Sequence, residues 1–538
     1  MKIIGVSTGH DCSYCVLEDG RPVVHEEWER FSRIKESDTN VFEFLEDRLA
    51  DYKDTKYVTH WPCNPNGWEN IFKDKKLASF EKMKEMVKEN GGAYYQFGHH
   101  QSHAANAFFS SNHDRALILT LDAGGWDYGD YDENSVGRGE IHDTSVTVWR
   151  GEKNKIHPIA ILSIEDLSIG LVWHDILPSV FGLSNGTPIG NQAGTAMAMA
   201  AMGKTDKYVD KIGFSNNHHR TDYKYLKNAA VENPDELYEI ARALQTNTEG
   251  QIRRLISYYL VEGDENLCVA GGVALNCVSM GKLFDWFPQL KSVYVPPVPY
   301  DAGLSIGSAQ YLYHHVLDNP RITWEDNFTP YLGVTYELSE VKEALEQHKD
   351  EVTFSEASDS EVLELLDKQN IVAVFGGPSE SGRRALGNRS ILADPRNANM
   401  KDIINEKVKH RQSFRPFAPS ILREEVKNWF VHDVDSPYMN FALRYQEHAL
   451  EKVPAVVHFN NTGRLQTVTE SDNNWYYNFI KQWQEKTGVP ILLNTSFNDR
   501  EPIVETPEHA LKCFMKTKID YLYFTDYGIL VRKNEEEK

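Results

Sequence analysis

Three apolar runs in the first 300 residues stop at small residues, and this constrains the fold more than any other feature of the chain. Residues 116–121 run into Asp122, Gly124 and Gly125; 267–270 into Gly271 and Gly272; 293–295 through prolines to Asp301 and Gly303. Ahead of them, 2–9 and 13–18 are β-rich, and Asp19-Gly20 supplies a two-residue hairpin turn. Helical patterns at 234–260 and 303–316 fill the spaces, so the first 330 or so residues read as α/β. Strands that end in small residues and acids bring backbone N–H groups and carboxylates to a ligand at the carboxyl edge of a sheet. One such end is an ordinary turn; three in one chain favour a nucleotide or phosphate cleft.

At 538 residues the chain exceeds what one core serves, so two or three domains are expected. Residues 1–334 form the first, 335–360 are a charged, helix-prone connector, and a strand at 371–375 opens the second, which covers 361–538. Further strands are expected at 453–458 and 489–494, with a disordered tail. No internal repeat is visible. The opening residues have too short an apolar run before His10 and Asp11 for a signal peptide, and no stretch approaches a membrane span. Six cysteines point to no disulfide scaffold and to the cytoplasm. Cys12 and Cys15 have C-x-x-C spacing, but no second pair completes a zinc site and the segment reads as a strand.

The net charge is −22, yet residues 383–415 hold nine Lys/Arg against three acids. Such an island is either a solvated face or an anion site; apolar and turn residues between the charges argue for the anion, because Arg forks and Lys point charges suit phosphate oxygens. His99 and His103 stand at i and i+4 in a helix-prone run, so both reach one face while His100 points elsewhere. Two imidazoles leave a metal site incomplete, and Asp122 and Asp301 at strand ends are the candidates to finish it. No glutamate follows the first histidine as in H-E-x-x-H, which argues against a zincin protease. A two-His, two-Asp set favours iron or zinc over magnesium.

These segments, with RALGNRSILADPR, VKHRQSFRPFAPSIL, GRLQTV and LNTSFN further on, resemble the NodU/CmcH family of O-carbamoyltransferases over nearly the whole chain. The resemblance implies a TsaD-like first domain on the actin-like ATPase (ASKHA) fold and a YrdC-like α/β second domain. It implies that carbamoyl phosphate and ATP, with Mg, give carbamoyl-adenylate in the second domain, and that an acceptor hydroxyl takes the carbamoyl group in the first at an iron-bound site. On that resemblance His99, His103, Asp122 and Asp301 are metal ligands, and His10 deprotonates the acceptor. Gly271, Gly272 and Asn276 form the nucleotide turn of the first domain. Arg384, Lys409, Arg464 and Ser496 hold carbamoyl phosphate and the ATP phosphates. The chain departs from the family at Ser381-Gly382-Arg383, at Asn498 to Glu501, and at Gln192 to Met199, where the family places Glu and Lys.

Two other readings remain: a threonylcarbamoyl-type transferase acting on tRNA adenosine, and a non-catalytic nucleotide-binding module. The family resemblance implies an acceptor that is a small natural product or a hydroxymethylated pyrimidine in phage DNA. For the latter, 211–227 carries four cations to one acid among Phe214, His218, His219, Tyr223 and Tyr225, a mixture that suits a nucleic-acid surface. No membrane partner is expected; an oligomer is compatible with the sequence.

Overall fold

The computed structural model describes residues 1–37, 44–45, 47–48, 55, 57–60, 85, 87–128, 141–217 and 219–534. It divides into two compact units, Met1–Ser279 with Leu283–Trp324, and Glu325–Lys538 with Met280–Lys282. The division therefore precedes residue 334, and 335–360 is not a connector. Leu338–Gln347 is a helix, and Val352–Glu356 is an edge strand of the second unit's sheet. Four of that strand's five residues are exposed, so the apolar alternation that flags a strand is missing from it.

In the first unit, β1 (Lys2–Ser7), β2 (Ser13–Glu18), β3 (Arg21–Glu27), β4 (Tyr57–His60) and β5 (Ala93–Gln96) form a sheet in the order β3-β2-β1-β4-β5. A second sheet holds β6 (Arg115–Tyr128), β7 (Ile141–Glu152), β8 (Lys155–Ser163), β9 (Asn266–Ala270) and β10 (Ser292–Tyr294), in the order β8-β7-β6-β9-β10. In each set the first three strands pair antiparallel and the other pairings are parallel. The two sheets thus repeat one topology, although no repeat is visible in the sequence. Buried strands ask only for apolar residues of suitable volume, so a repeated topology need leave no repeated residues. The helix His99–Phe109 is buried along its whole length and packs with Ile3, Leu17, Ile118 and Cys268 in one core. Cys12 and Cys15 are buried and burial pushes both thiols up, the reverse of a reactive pair.

The second unit is built on nine strands: β11 (Val352–Glu356), β12 (Val372–Phe375), β13 (Arg389–Ala393), β14 (Ala418–Leu422), β15 (Phe441–Arg444), β16 (Thr462–Val468), β17 (Ile491–Ser496), β18 (Tyr521–Phe524) and β19 (Ile529–Lys533). Their order is β11-β19-β18-β12-β13-β17-β14-β16-β15. Val372, Leu392, Leu422, Val468 and Leu492 pack against Phe479 and Trp483 of the helix Asn474–Thr487. The strand expected at 453–458 is instead a tight turn at Pro454–Val456, where the proline has no N–H to give a ladder. No helix among the described residues is long and apolar enough to cross a membrane.

Candidate functional site

Strand β6 breaks register after Leu121. Leu121 faces Val146 and Gly125 faces Thr144, so the residues between bulge out of the ladder. A bulge re-aims side chains, and this one carries Asp122 toward the helix His99–Phe109. His103 Nε2 lies 3.2 Å from Asp122 Oδ2 and 3.5 Å from Asp301 Oδ1; His99 Nε2 lies 3.7 and 3.8 Å from the same oxygens. One donor atom from each of the four falls within 4.8 Å of the others. Both imidazoles are buried, and neither ring nitrogen of His103 has a hydrogen-bond partner. Two imidazoles and two carboxylates that converge this closely fit a cation between them, and this donor set suits a borderline divalent metal. In the metal-free geometry burial opposes charge on His103, but Asp122 and Asp301 outweigh it and raise its pKa to about 9. Asp122 is likewise held well below the usual carboxylate range in spite of burial, by His103 and His99.

His10, in the turn between β1 and β2, stands over this cluster. Its Nδ1 is 2.9 Å from Asp11 Oδ2 and its Nε2 is 3.5 Å from Asp301 Oδ2. Desolvation works against its protonation, and Asp11 and Asp301 work for it with the larger effect. With 62% of the ring open to water these charges are screened, and an upward direction is what the geometry supports.

Residues that sequence reasoning passed over hold these groups in place. Asp127 accepts the backbone N–H groups of His100 and Gln101, satisfying the helix start that presents His99. His100 bonds Thr120 Oγ1 at 2.6 Å and the Thr144 carbonyl at 3.0 Å, away from the cluster as its position implied. Ser13 and His25 both hold the Ala302 carbonyl, and Tyr300 donates to Glu27, which pins the turn carrying Asp301. Nothing in the spacing of these residues announces such pairings. Gly271 has φ +90°, and a Cβ there would lie 2.1 Å from the Leu121 carbonyl oxygen. The N–H of Gly272 donates to Asp122 Oδ2 at 2.9 Å, which joins the glycine turn to the cluster. Asn276 ends the same turn, with its side chain engaged in the protein. Its Oδ1 caps the helix Cys277–Trp286 through Ser279 N–H, and its Nδ2 donates to Gln245.

In the second unit, Asn494 on β17 donates to Ser420 Oγ on β14 and to Gln466 Oε1 on β16, so these side chains share one face of the sheet. Side chains two apart share a face, which puts Arg464 and Ser496 there too. Because β16 and β17 both flank β14, the first parallel and the second antiparallel to it, the two residues lie toward the same end. Lys409 Nζ reaches Ser496 and Asn498. Burial first, then Arg415 and Arg464, hold the Arg411 guanidinium well below its usual range; Arg415 is lowered to about 10 by burial and Arg464. His458 is brought down to about 3 by burial and Arg464. Crowded, desolvated cations of this kind are what an anion relieves.

Arg384 sits in the neighbouring loop. The carbonyl of Ala385 accepts from Asn494, that of Leu386 from Gln466 and Tyr331, and Glu380 Oε1 accepts from the N–H groups of Leu386, Asn388 and Arg389. Two of the nine cations are spent on structure. Arg389 gives its fork to the carbonyls of Gly376, Gly377, Asn388 and Val334, and Arg396 pairs with Asp394 and Asp367. In 211–227, Phe214 is buried and Lys211 pairs with Asp210, while Arg220, Lys224, Tyr225 and Lys227 are exposed. His218 and the side chain of His219 lie outside the described residues.

A histidine over converging metal donors in one α/β unit, and a surplus of half-buried cations at a sheet end in the other, are the equipment of a group transferase. Comparison with known proteins supplies the group. Residues 68–310 match the family described as carbamoyltransferase N-terminus, and 363–532 match carbamoyltransferase C-terminus. The chain is 34% identical to an uncharacterized protein of Synechocystis sp., over 80% of this chain and 75% of that one. It is 31% identical to nodulation protein NolO of Bradyrhizobium diazoefficiens over 81% and 78%, and 28% identical to nodulation protein NolNO of Sinorhizobium fredii over 98% and 80%. The chain belongs to the carbamoyltransferase family.

Proposed function

We propose that this carbamoyltransferase makes carbamoyl-adenylate from carbamoyl phosphate and ATP in its second unit and transfers the carbamoyl group to an acceptor hydroxyl in its first. The observation that carries this reading is the separation of two chemistries in one chain: anion-binding cations at the β16–β17 sheet end, and a histidine over a His/Asp cluster in the first unit. The repeated five-stranded topology supports an actin-like first unit; the second unit is proposed as YrdC-like.

Carbamoyl-adenylate keeps only the α-phosphorus of ATP, so water first releases phosphate from carbamoyl phosphate to leave carbamate, and a carbamate oxygen then attacks the α-phosphorus of ATP and displaces pyrophosphate. Arg384, Arg464, Lys409 and Ser496 bind and orient those phosphates, and the positive surplus offsets charge that grows on the departing oxygens. In the first unit the neutral form of His10 takes the proton of the acceptor hydroxyl, with Asp11 fixing the ring and favouring the imidazolium that results, as the hydroxyl oxygen attacks the carbamoyl carbon and AMP leaves. His99, His103, Asp122 and Asp301 would hold a metal ion, iron or zinc, whose charge polarises the group being transferred. Gly271 lets the turn close against Leu121 and Gly272 ties it to Asp122, and this turn would carry the nucleotide. The acceptor is an alcohol, either a small molecule or a hydroxymethyl group on a pyrimidine of DNA. The exposed Arg220, Lys224 and Lys227 are the surface that would favour DNA.

The test separates the half-reactions. Arg464→Ala should abolish carbamoyl phosphate-dependent pyrophosphate release. His10→Asn should still release pyrophosphate and fall in transfer by about 10²–10⁴-fold. Equal loss of both half-reactions in both variants would overturn the two-site reading.

A further inference from the structure

Two of the donors assigned to substrate phosphate in the second unit, Lys409 and Ser496, are already engaged by one side chain. Lys409 Nζ donates to Asn498 Oδ1 at 2.7 Å, and Ser496 Oγ donates to the same oxygen at 2.7 Å. The ammonium also reaches the carbonyl oxygens of Ser496 and of Asn498, the latter at 2.8 Å, with Ser496 Oγ at 3.3 Å. An ammonium has three N–H groups, and here four oxygens share them. Lys409 is 3% exposed, so its ammonium has no vacant direction for a ligand while Asn498 holds its place.

Two of these acceptors are backbone carbonyls, fixed by the chain. Asn498 Oδ1 belongs to a side chain that can rotate, tethered by Nδ2 to the Glu501 carbonyl at 2.7 Å. An oxygen that takes one hydrogen bond from an ammonium and one from a hydroxyl occupies the place of a phosphoryl oxygen. We propose that the Asn498 amide oxygen is a stand-in for substrate phosphate, released from Lys409 and Ser496 when a phosphoryl oxygen arrives. This rests on the assignment of phosphate binding to the second unit. The loops would stay together during the exchange, because His410 bonds Asp499 at 3.2 Å and Arg500 Nη2 donates to the His410 carbonyl at 3.1 Å, independently of Asn498's side chain.

A stand-in and a supporting clamp differ in sign. If Asn498 only steadies Lys409, removing its amide disorders the ammonium and weakens binding, while Asn498→Asp keeps the acceptor oxygen and is tolerated. If Asn498 competes with substrate, Asn498→Ala removes the competitor, and Asn498→Asp places a charged one against Lys409 that a phosphate must displace. Calorimetric titration of the full-length protein with carbamoyl phosphate, and separately with inorganic phosphate, distinguishes them. The expected result is binding about threefold or more tighter in Asn498→Ala and about tenfold or more weaker in Asn498→Asp, tenfold being the scale of one charge-assisted contact. Weaker binding in Asn498→Ala with Asn498→Asp unchanged, or no change of affinity for either anion, would overturn the proposal. Should inorganic phosphate follow the expected order while carbamoyl phosphate fails to bind any form, the stand-in survives and the choice of carbamoyl phosphate as substrate falls.

Discussion

Two adjacent histidines of the first unit, His314 and His315, are 0% and 3% exposed and lie outside the His/Asp cluster. Burial lowers both to about 4, with Arg321 adding to the effect on His314 and Lys155 on His315. The unfolded chain takes up a proton at each near pH 6.5, the folded chain only near 4, so ν is larger in the unfolded state between those values and stability rises with pH there. The contribution is complete above pH 6.5 and lost as pH falls toward 4, roughly 3 kcal/mol for each histidine at most. Thermal melting should therefore drop steeply across that window and less steeply in His314→Gln; an unchanged slope would contradict the assignment. The cluster residues make a different prediction. His103→Ala and Asp301→Ala should each lose most of a near-stoichiometric transition metal on metal analysis, whereas His100→Ala, whose ring is turned to Thr120 and Thr144, should keep it. Equal metal content in all three variants would remove the metal site.

Single elements carry consequences that single residues do not. The loop bearing Arg384 is strung to the sheet through Asn494, which touches Ala385, Ser420 and Gln466 at once. Asn494→Ala leaves buried polar partners unmatched and should cost about 1–3 kcal/mol in chemical denaturation. It should also slow pyrophosphate release by loosening Arg384, and full activity would show that the loop needs no such tether. Gly271→Ala should be worse, since a methyl group meets the Leu121 backbone at a positive φ; a melting temperature equal to that of the wild type would refute it. The comparison with the sequence follows the same line. Strand ends with glycine and aspartate, the i, i+4 histidines and the Lys409 island were legible because each is local. Asn494 acts on a carbonyl 109 residues away and Asp127 on N–H groups 26 and 27 residues away, and neither pairing leaves a local pattern. The edge strand Val352–Glu356 was read as connector because its side chains face water. The repeated topology escaped notice because pairing order is not written in residue identity.

At the scale of the molecule, two units with separate equipment should fail separately. Stripping the protein with a strong chelator, removing the chelator and assaying with Mg restored should suppress transfer to the acceptor and leave pyrophosphate release near its original rate, because the metal donors belong to one unit and the phosphate cations to the other. Parallel loss of both would mean that the cluster serves both steps. The repeated sheets add something about how the cluster is assembled. His99 and His103 follow β5, the last strand of the first sheet, and Asp301 follows β10, the last strand of the second; His10 follows β1, and Asp122 sits in β6, its counterpart. Matching places in the two copies thus meet at one point. A cation there acts as a rivet through two plates, and loading it should slow amide hydrogen exchange at the starts of both His99–Phe109 and Leu304–Gln310 together, although only the first of these helices carries a ligand.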